Sequence, residues 1–207
     1  MYKTMTSSKP FDLKNAKVAI CMPCTSTVLA KTAFSLVHSV HDVPWDYDMF
    51  MQISCDIIGG RVRLVRQALE SGATHMLFID HDMYFPPKLE GGNPMSPITR
   101  LLLENKDVIG AEYNFRQFPL KSTASALDES GDKTRPYRCN VVGTGFMLIN
   151  LDVFDKIPEP WFQFNRDKDG NMVNGEDSWF CQQAIKAGFE VWADPTLGVK
   201  HIGDYQY

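Results

Sequence analysis

The stretch HMLFIDHDM (75–83) opens on a short, mostly apolar run, HMLFI, which is cut off by Asp80, His81 and Asp82. That pattern reads as a buried strand ending in an acidic turn. Strand and helix signals alternate on both sides of it. Upstream lie VAICM (18–22) with Pro23, then VLAKTAFSLVHSV (28–40), a helix with a Ser/Thr cap ahead of it. A second unit runs from YDMFMQIS (47–54) through Gly59-Gly60 into RVRLVRQALESG (61–72), where Val62, Val65 and Leu69 fall on one helical face and Gly72 closes the helix. Downstream, a Pro/Gly-rich loop (86–97) leads into the helix ITRLLLENK (98–106) and the strand DVIGAEY (107–113). Three β-loop-α units in succession predict an α/β chain with a mainly parallel central sheet flanked by helices. In such a sheet the ligand loops lie beyond the carboxyl ends of the strands.

The second half continues less regularly. A polar, turn-rich stretch between Lys121 and Arg138 reads as a surface loop, and NVVGTGFMLIN (140–150) as one strand returning to the core. PEPWFQF (158–164), a polar lid NRDKDGNMVNG (165–175), a helix over about 177–187, the strand FEVWAD (189–194) and the tail GVKHIGDYQY (198–207) follow. The 207 residues suit a single domain, 1–207, with a nucleotide-binding part over about 16–115 and a catalytic part over about 116–207.

Composition narrows the function. Hydrophobic residues make up 44% and charged residues 22%, as in ordinary soluble domains, and the formal charge of −4 argues against a broad nucleic-acid surface. No apolar run is long enough to span a bilayer, and the first residues lack the apolar stretch of a signal peptide, so a soluble, cytoplasmic protein is expected. Five cysteines, at 21, 24, 55, 139 and 181, form an odd and irregular set, and Asn-x-Ser/Thr is absent. Both observations favour reduced thiols.

Asp-x-Asp is a cheap pattern, and the chain holds three: Asp46/Asp48, Asp80/Asp82 and Asp167/Asp169. Only Asp80/Asp82 directly follows an apolar strand, at the edge where a crevice would open. Two carboxylates there repel each other unless a positive group joins them, and a hard divalent cation shared with phosphate oxygens would do so.

Taken together, FIDHDM (78–83), VVGTGFMLIN (141–150), NGEDSWFCQQAIKAGFEVWADP (174–195) and VKHIG (199–203) resemble, in order and spacing, the motifs of GT-A fold, nucleotide-sugar-dependent glycosyltransferases. The resemblance spans roughly residues 18–203. It implies a Rossmann-like GT-A domain that moves a sugar from a nucleoside-diphosphate sugar, a UDP- or GDP-sugar, to a carbohydrate or other hydroxyl acceptor. It implies Mn²⁺ or Mg²⁺ as cofactor, with Asp82 on the cation, Asp80 on the ribose or on the metal through water, and His201 as a further ligand. A mixed Asp/His/diphosphate set suits Mn²⁺ better than Ca²⁺. In inverting members the Asp of the Glu-Asp motif deprotonates the acceptor, which makes Asp177 the base and Glu176 an acceptor contact. The structural reading of the same pair is an acidic helix start that complements the dipole.

By the same analogy the base and ribose fall near Pro23, Cys24, Thr25 and Asp56. Arg61, Arg63 and Arg66 open the second helix, where an anion is favoured, and Arg66 is the nucleotide-side choice. Gly143 and Gly145 would let the backbone approach a sugar, and Glu112, Tyr113 and Asn114 would bond its hydroxyls. Trp179, with Trp161 and Phe162, offers a flat apolar face for stacking or for ordinary core packing.

Three other readings compete. A retaining transferase presents almost the same acidic motifs. A sugar nucleotidyltransferase usually carries a glycine-rich loop after its first strand, where this chain has MPCTSTV (22–28). A dithiol redox protein would use Cys21 and Cys24. The loop DKDGNMVNGE (167–176) does not fit a calcium loop, because its glycine is fourth rather than sixth.

Overall fold

A computed structural model describes residues 11–90, 94–127 and 133–203. The chain ends, the glycine-rich centre of the loop over 86–97 and the middle of the polar stretch over 121–138 lie outside the described residues.

In chain order the elements are β1 (Lys17–Cys24), α1 (Ala30–Ser39), β2 (Asp46–Ile53), α2 (Ile57–Glu70), β3 (His75–Ile79), β4 (Met83–Tyr84), α3 (Pro97–Glu104) and β5 (Val108–Ala111). They continue with β6 (Ser125–Ala126), β7 (Tyr137–Val141), β8 (Phe146–Asn150), β9 (Asn165–Arg166), β10 (Met172–Asn174), α4 (Glu176–Lys186), β11 (Val191–Asp194) and β12 (Lys200–His201). Among the described residues the central sheet has eight strands in the order β2-β1-β3-β8-β5-β11-β7-β6. β1, β2, β3, β5, β11 and β6 run one way, while β8 and β7 run against them. The expected sheet of mainly parallel strands flanked by helices is what the chain forms.

Side-chain alternation divides the core between the two faces. In β3, Met76 and Phe78 join Leu64, Val65 and Ala68 of α2 and Phe180, Cys181 and Ala184 of α4. Leu77 and Ile79 join Leu36 of α1 and Ile98, Leu101 and Leu102 of α3 on the other face. Phe180 is fully buried and stacks on Phe162 at 5.3 Å, and Phe162 meets Phe78 edge-on at 5.6 Å. This aromatic group pins the start of α4 over the end of β3, and truncating Phe180 to alanine should cost about 3–5 kcal/mol.

Four local expectations are corrected. Residues 140–150 are not one strand: β7 ends at Val141 and β8 begins at Phe146, in different places in the sheet, with a turn between them. Helix α1 is preceded by Leu29 with no side-chain cap, so the Ser/Thr signal ahead of it goes unused. Helix α2 starts at Ile57, because the Asp56 side chain accepts a hydrogen bond from Gly59 N–H and caps it. Its buried face is Gly60, Arg61, Leu64, Val65 and Ala68, while Leu69 is exposed. A charged residue thus occupies the apolar stripe of α2. At the far end Gly72, at φ 70°, takes the left-handed turn that follows the helix.

Candidate active site

The parallel register of β1, β2 and β3 brings residues 23–25, 54–56 and 80–82 to one edge of the sheet. Gly145, just ahead of the antiparallel β8, sits beside Asp80 and accepts its N–H at 3.0 Å. The Asp80–Asp82 turn is therefore held by backbone on several sides. Met83 N–H returns to Asp80 O at 3.3 Å, Leu29 N–H to His81 O at 3.0 Å, and Ile202 N–H to Asp82 O at 2.8 Å. The last bond, with the antiparallel pairing of β12 and β4, brings His201 to the turn across most of the chain.

Asp82 is 3% exposed. His201 Nε2 lies 3.6 Å from its Oδ1, and Arg116 Nη1 lies 2.8 Å from its Oδ2. His201 Nδ1 is 3.2 Å from Asn114 O, and the ring meets Tyr113 edge-on at 5.2 Å. Orientation by a backbone carbonyl on one ring nitrogen is the usual way a ligand histidine aims the other. Asp80, Asp82 and His201 each present a ligand atom, all within 4.8 Å of one another. Two carboxylate oxygens and one imidazole nitrogen so grouped could hold a divalent cation.

Asp80 also meets Arg61. The guanidinium is buried over the Phe78 ring, 5.0 Å from its centroid, with Nη2 3.1 Å from Asp80 Oδ1 and Nε 3.4 Å from Glu176 Oε1. Burial alone would lower the Arg61 pKa, but Asp80 and Glu176 more than offset it and the net shift is upward. Its Nη1 is buried without a hydrogen-bond partner. One buried cation thus ties the strand-end carboxylate to the acidic start of α4.

Glu176 and Asp177 lie in the first turn of α4, behind Gly175, whose side-chain-free cap gives room to Asp177: a Cβ there would stand 2.9 Å from Asp177 Oδ1. Ser178 N–H donates to Asp177 Oδ1 at 2.6 Å. Burial, and then the Glu176 charge, push the Asp177 carboxyl up from 3.8 to about 6 against the opposing pull of that hydrogen bond and Arg61. A carboxylate so placed is ionised at neutral pH yet more basic than an ordinary aspartate.

The other predicted residues divide into those near this cluster and those engaged elsewhere. Tyr113 is 6% exposed and its hydroxyl accepts Gly145 N–H at 2.9 Å. Burial, then the Asp80 charge, raise its pKa well above the ordinary value, so it stays neutral. A Cβ on Gly143 or Gly145 would come within 2.3 or 2.5 Å of that hydroxyl. Both glycines make room for Tyr113, which explains them without a sugar. Glu112 accepts Lys133 at 2.8 Å, Tyr137 Oη at 2.8 Å and Ser122 Oγ at 2.9 Å. Burial would raise the Glu112 pKa, but these partners outweigh it and hold the group below the usual carboxylate range. Asn114 contributes its carbonyl to His201.

Arg66 is turned away, paired with Glu159 at 3.1 Å in a half-exposed surface bridge. Asp56 is occupied as the α2 cap, Pro23 and Cys24 are buried at the end of β1, and Thr25 is exposed. Trp179 Nε1 donates to Pro160 O at 2.8 Å, and Trp161 and Phe162 belong to the core. Cys21 is buried inside β1, where burial pushes its thiol up to about 12, and it is three residues from Cys24 on a strand whose side chains alternate. That arrangement is unsuited to a reactive dithiol. The 165–175 stretch is a β9–β10 hairpin whose tip is organised by Asp167 Oδ1, which accepts from Asp169 and Asn171 N–H at 2.9 Å.

Two contributors escaped the sequence reading of roles. The sequence offers Arg61 as one of three arginines, and the sign that singles it out is its place in the apolar stripe of α2. Arg116 carries no local signal.

No family model matches the chain, and no curated protein matches it. Solved structures do share the fold. "A197 from STIV" aligns with a TM-score of 0.62 at 18% identity, over 91% of this chain and 86% of that one. GalNAc-T7, in a crystal structure "with UDP, GalNAc and Mn2+", aligns at 0.53 and 10% identity over 92% of this chain. The chain spans under half of GalNAc-T7, 44% of it. A nucleoside-diphosphate-sugar pyrophosphorylase from Vibrio cholerae RC9 aligns at 0.43 and 9% identity, too remote to bear on the reaction.

Proposed function

We propose that this chain is a metal-dependent glycosyltransferase that moves a sugar from a nucleoside-diphosphate sugar to an acceptor hydroxyl. The observation that carries the reading is the convergence of Asp80, Asp82 and His201 at the sheet edge, with Glu176 and Asp177 joined to them through Arg61. The fold shared with GalNAc-T7, whose structure holds UDP, GalNAc and Mn²⁺, supports it.

In this reading Asp80, Asp82 and His201 would hold Mn²⁺ or Mg²⁺, and the ion would supply Lewis-acid charge neutralisation for a diphosphate leaving group. The nucleotide would lie over the ends of β1 and β2, where Thr25 is exposed. Asp177 takes the acceptor proton. Ser178 N–H holds its Oδ1, so Oδ2 is the atom assigned to the proton, and burial supplies the basicity. Glu176, held by Arg61, faces the acceptor. Inversion at the anomeric carbon follows if Asp177 acts as base directly.

The test is release of nucleoside diphosphate from a panel of UDP-, GDP-, CMP- and dTDP-sugars with acceptor hydroxyls, with and without Mn²⁺. Turnover of one donor, dependent on the metal and lost in Asp177→Asn, is expected. Metal-independent turnover, or undiminished turnover in Asp177→Asn, contradicts the proposal.

A further inference from the structure

β2 forms an end of the central sheet among the described residues, and its outer edge has an unusual character. Its side chains alternate strictly. Register with β1 places Tyr47, Met49, Met51 and Ile53 beside Val18, Ile20, Met22 and Cys24. Those β1 residues are buried, on the face covered by α1, yet the four β2 residues are between 41% and 61% exposed. Helix α1 therefore stops short of the last strand. Its own Phe34 and Val37, on the same side of the sheet, are also exposed. A contiguous apolar ladder of this size on an edge strand marks a surface that associates.

The backbone of the same four residues is equally open. Asp46 N–H donates to Ala16 O and Ser54 N–H to Cys24 O, so the even-numbered residues of β2 direct their peptide groups at β1. The odd-numbered ones, Tyr47, Met49, Met51 and Ile53, direct theirs outward. Ordinary edge strands are shielded by brevity, by Lys or Pro, or by a bulge. The opposite end of this sheet is shielded in that way, since β6 is two residues long. β2 is eight residues long and has no Lys, no Pro and an unbroken register.

We infer that β2 is the twofold interface through which two copies of this chain associate, their central sheets joined edge to edge. The register follows from parity. Outward-directed residues must face each other to exchange hydrogen bonds in an antiparallel pair, so the two residue numbers sum to an even value. Centring the pair on Phe50 sets Tyr47 opposite Ile53 and Met49 opposite Met51, and uses every outward residue of the strand. Charge selects a twofold over a parallel arrangement. Asp46 and Asp48 stand at one end of β2, with Asp48 held by Lys17 at 2.8 Å. In-register parallel strands would stack aspartate on aspartate, whereas the antiparallel pair sets Asp48 opposite Gln52 and Asp46 opposite Ser54. A second copy supplies both the apolar face and the complementary edge, and needs no other chain.

The interface is independent of the proposed reaction. Its test is sedimentation at micromolar concentration together with amide hydrogen exchange. The wild-type chain is expected at twice its 23.5 kDa mass. The amides of Tyr47, Met49, Met51 and Ile53 should become protected as concentration rises. Met51→Lys, at an exposed position, and Met49→Pro, which removes an outward N–H and no bond to β1, should each weaken association by at least about tenfold, with circular dichroism unchanged. If Met49→Pro perturbs the fold, Met51→Lys decides. A wild-type monomer overturns the inference, as does a dimer whose four amides exchange freely or which Met51→Lys leaves intact.

Discussion

Two acidic pairs meet at the edge of the sheet, and they are neutralised differently. Asp80 and Asp82, at the end of a buried strand, have Arg61, Arg116 and His201 against them within 3.6 Å. Glu176 and Asp177, at the start of a helix, share one cation, Arg61, through Glu176, and Asp177 answers its burial by a pKa raised to about 6. The same two residue types are thus poised for different tasks. The strand-end pair collects positive charge, as a cation site does, while the helix-start pair keeps one carboxyl basic, as a proton acceptor does. Of the cations, Arg61 is buried and fixed, whereas the Arg116 side chain is 52% exposed and can leave.

The contrast can be broken in order of expected effect. Asp82→Asn removes a buried charge from the proposed cation site and should abolish Mn²⁺-dependent binding of a nucleoside diphosphate, a loss of at least about 100-fold by calorimetry. Asp177→Asn should leave that binding intact and lower turnover by about 10²- to 10⁴-fold, the range for a lost general base. Equal losses of binding in both variants would erase the distinction between the pairs.

Stability gives a third handle. The folded chain holds the Asp177 proton more tightly than the unfolded chain does, so the unfolded state binds fewer protons between 3.8 and about 6. Stability is accordingly lost as pH rises through that window, by about 2–3 kcal/mol, and does not return above it. Asp177→Asn should then melt higher than wild type at pH 7.5 and no higher at pH 3.5, and the wild-type rate should rise through about pH 6. A melting difference that does not change with pH would remove burial as the cause of the basicity. The smallest effect belongs to Arg116→Gln, which frees Asp82 Oδ2 and should tighten Mn²⁺ alone by a few-fold, about 1 kcal/mol. Unchanged affinity would make Arg116 an ordinary surface partner.

Much of this was legible in the sequence. HMLFI ending in Asp80 announced a buried strand with carboxylates at its tip, and alternation with helices announced the sheet. The resemblance singled out His201, whose place beside Asp82 depends on β12 returning to β4, a pairing of two residues on each side that no local pattern reveals. Arg61 was obscured because hydrophobic periodicity assigns a charged residue to the solvent side, and here three partners made burial tolerable: Asp80, Glu176 and the Phe78 ring. Residues 140–150 read as one strand because apolar residues, Val141 and Val142 on one side and Phe146 to Ile149 on the other, flank Gly-Thr-Gly. The break comes from Tyr113, whose hydroxyl bonds Gly145 N–H and requires the two glycines.

The central claim is that the strand-end pair with His201 holds a divalent cation for a diphosphate. Calorimetry of UDP and GDP against wild type, Asp82→Asn and His201→Ala, each with and without Mn²⁺, tests it most directly. The account predicts binding of one nucleotide to wild type only when Mn²⁺ is present, abolished in Asp82→Asn and weakened in His201→Ala. Nucleotide binding that ignores the metal, or that survives unchanged in Asp82→Asn, would contradict it.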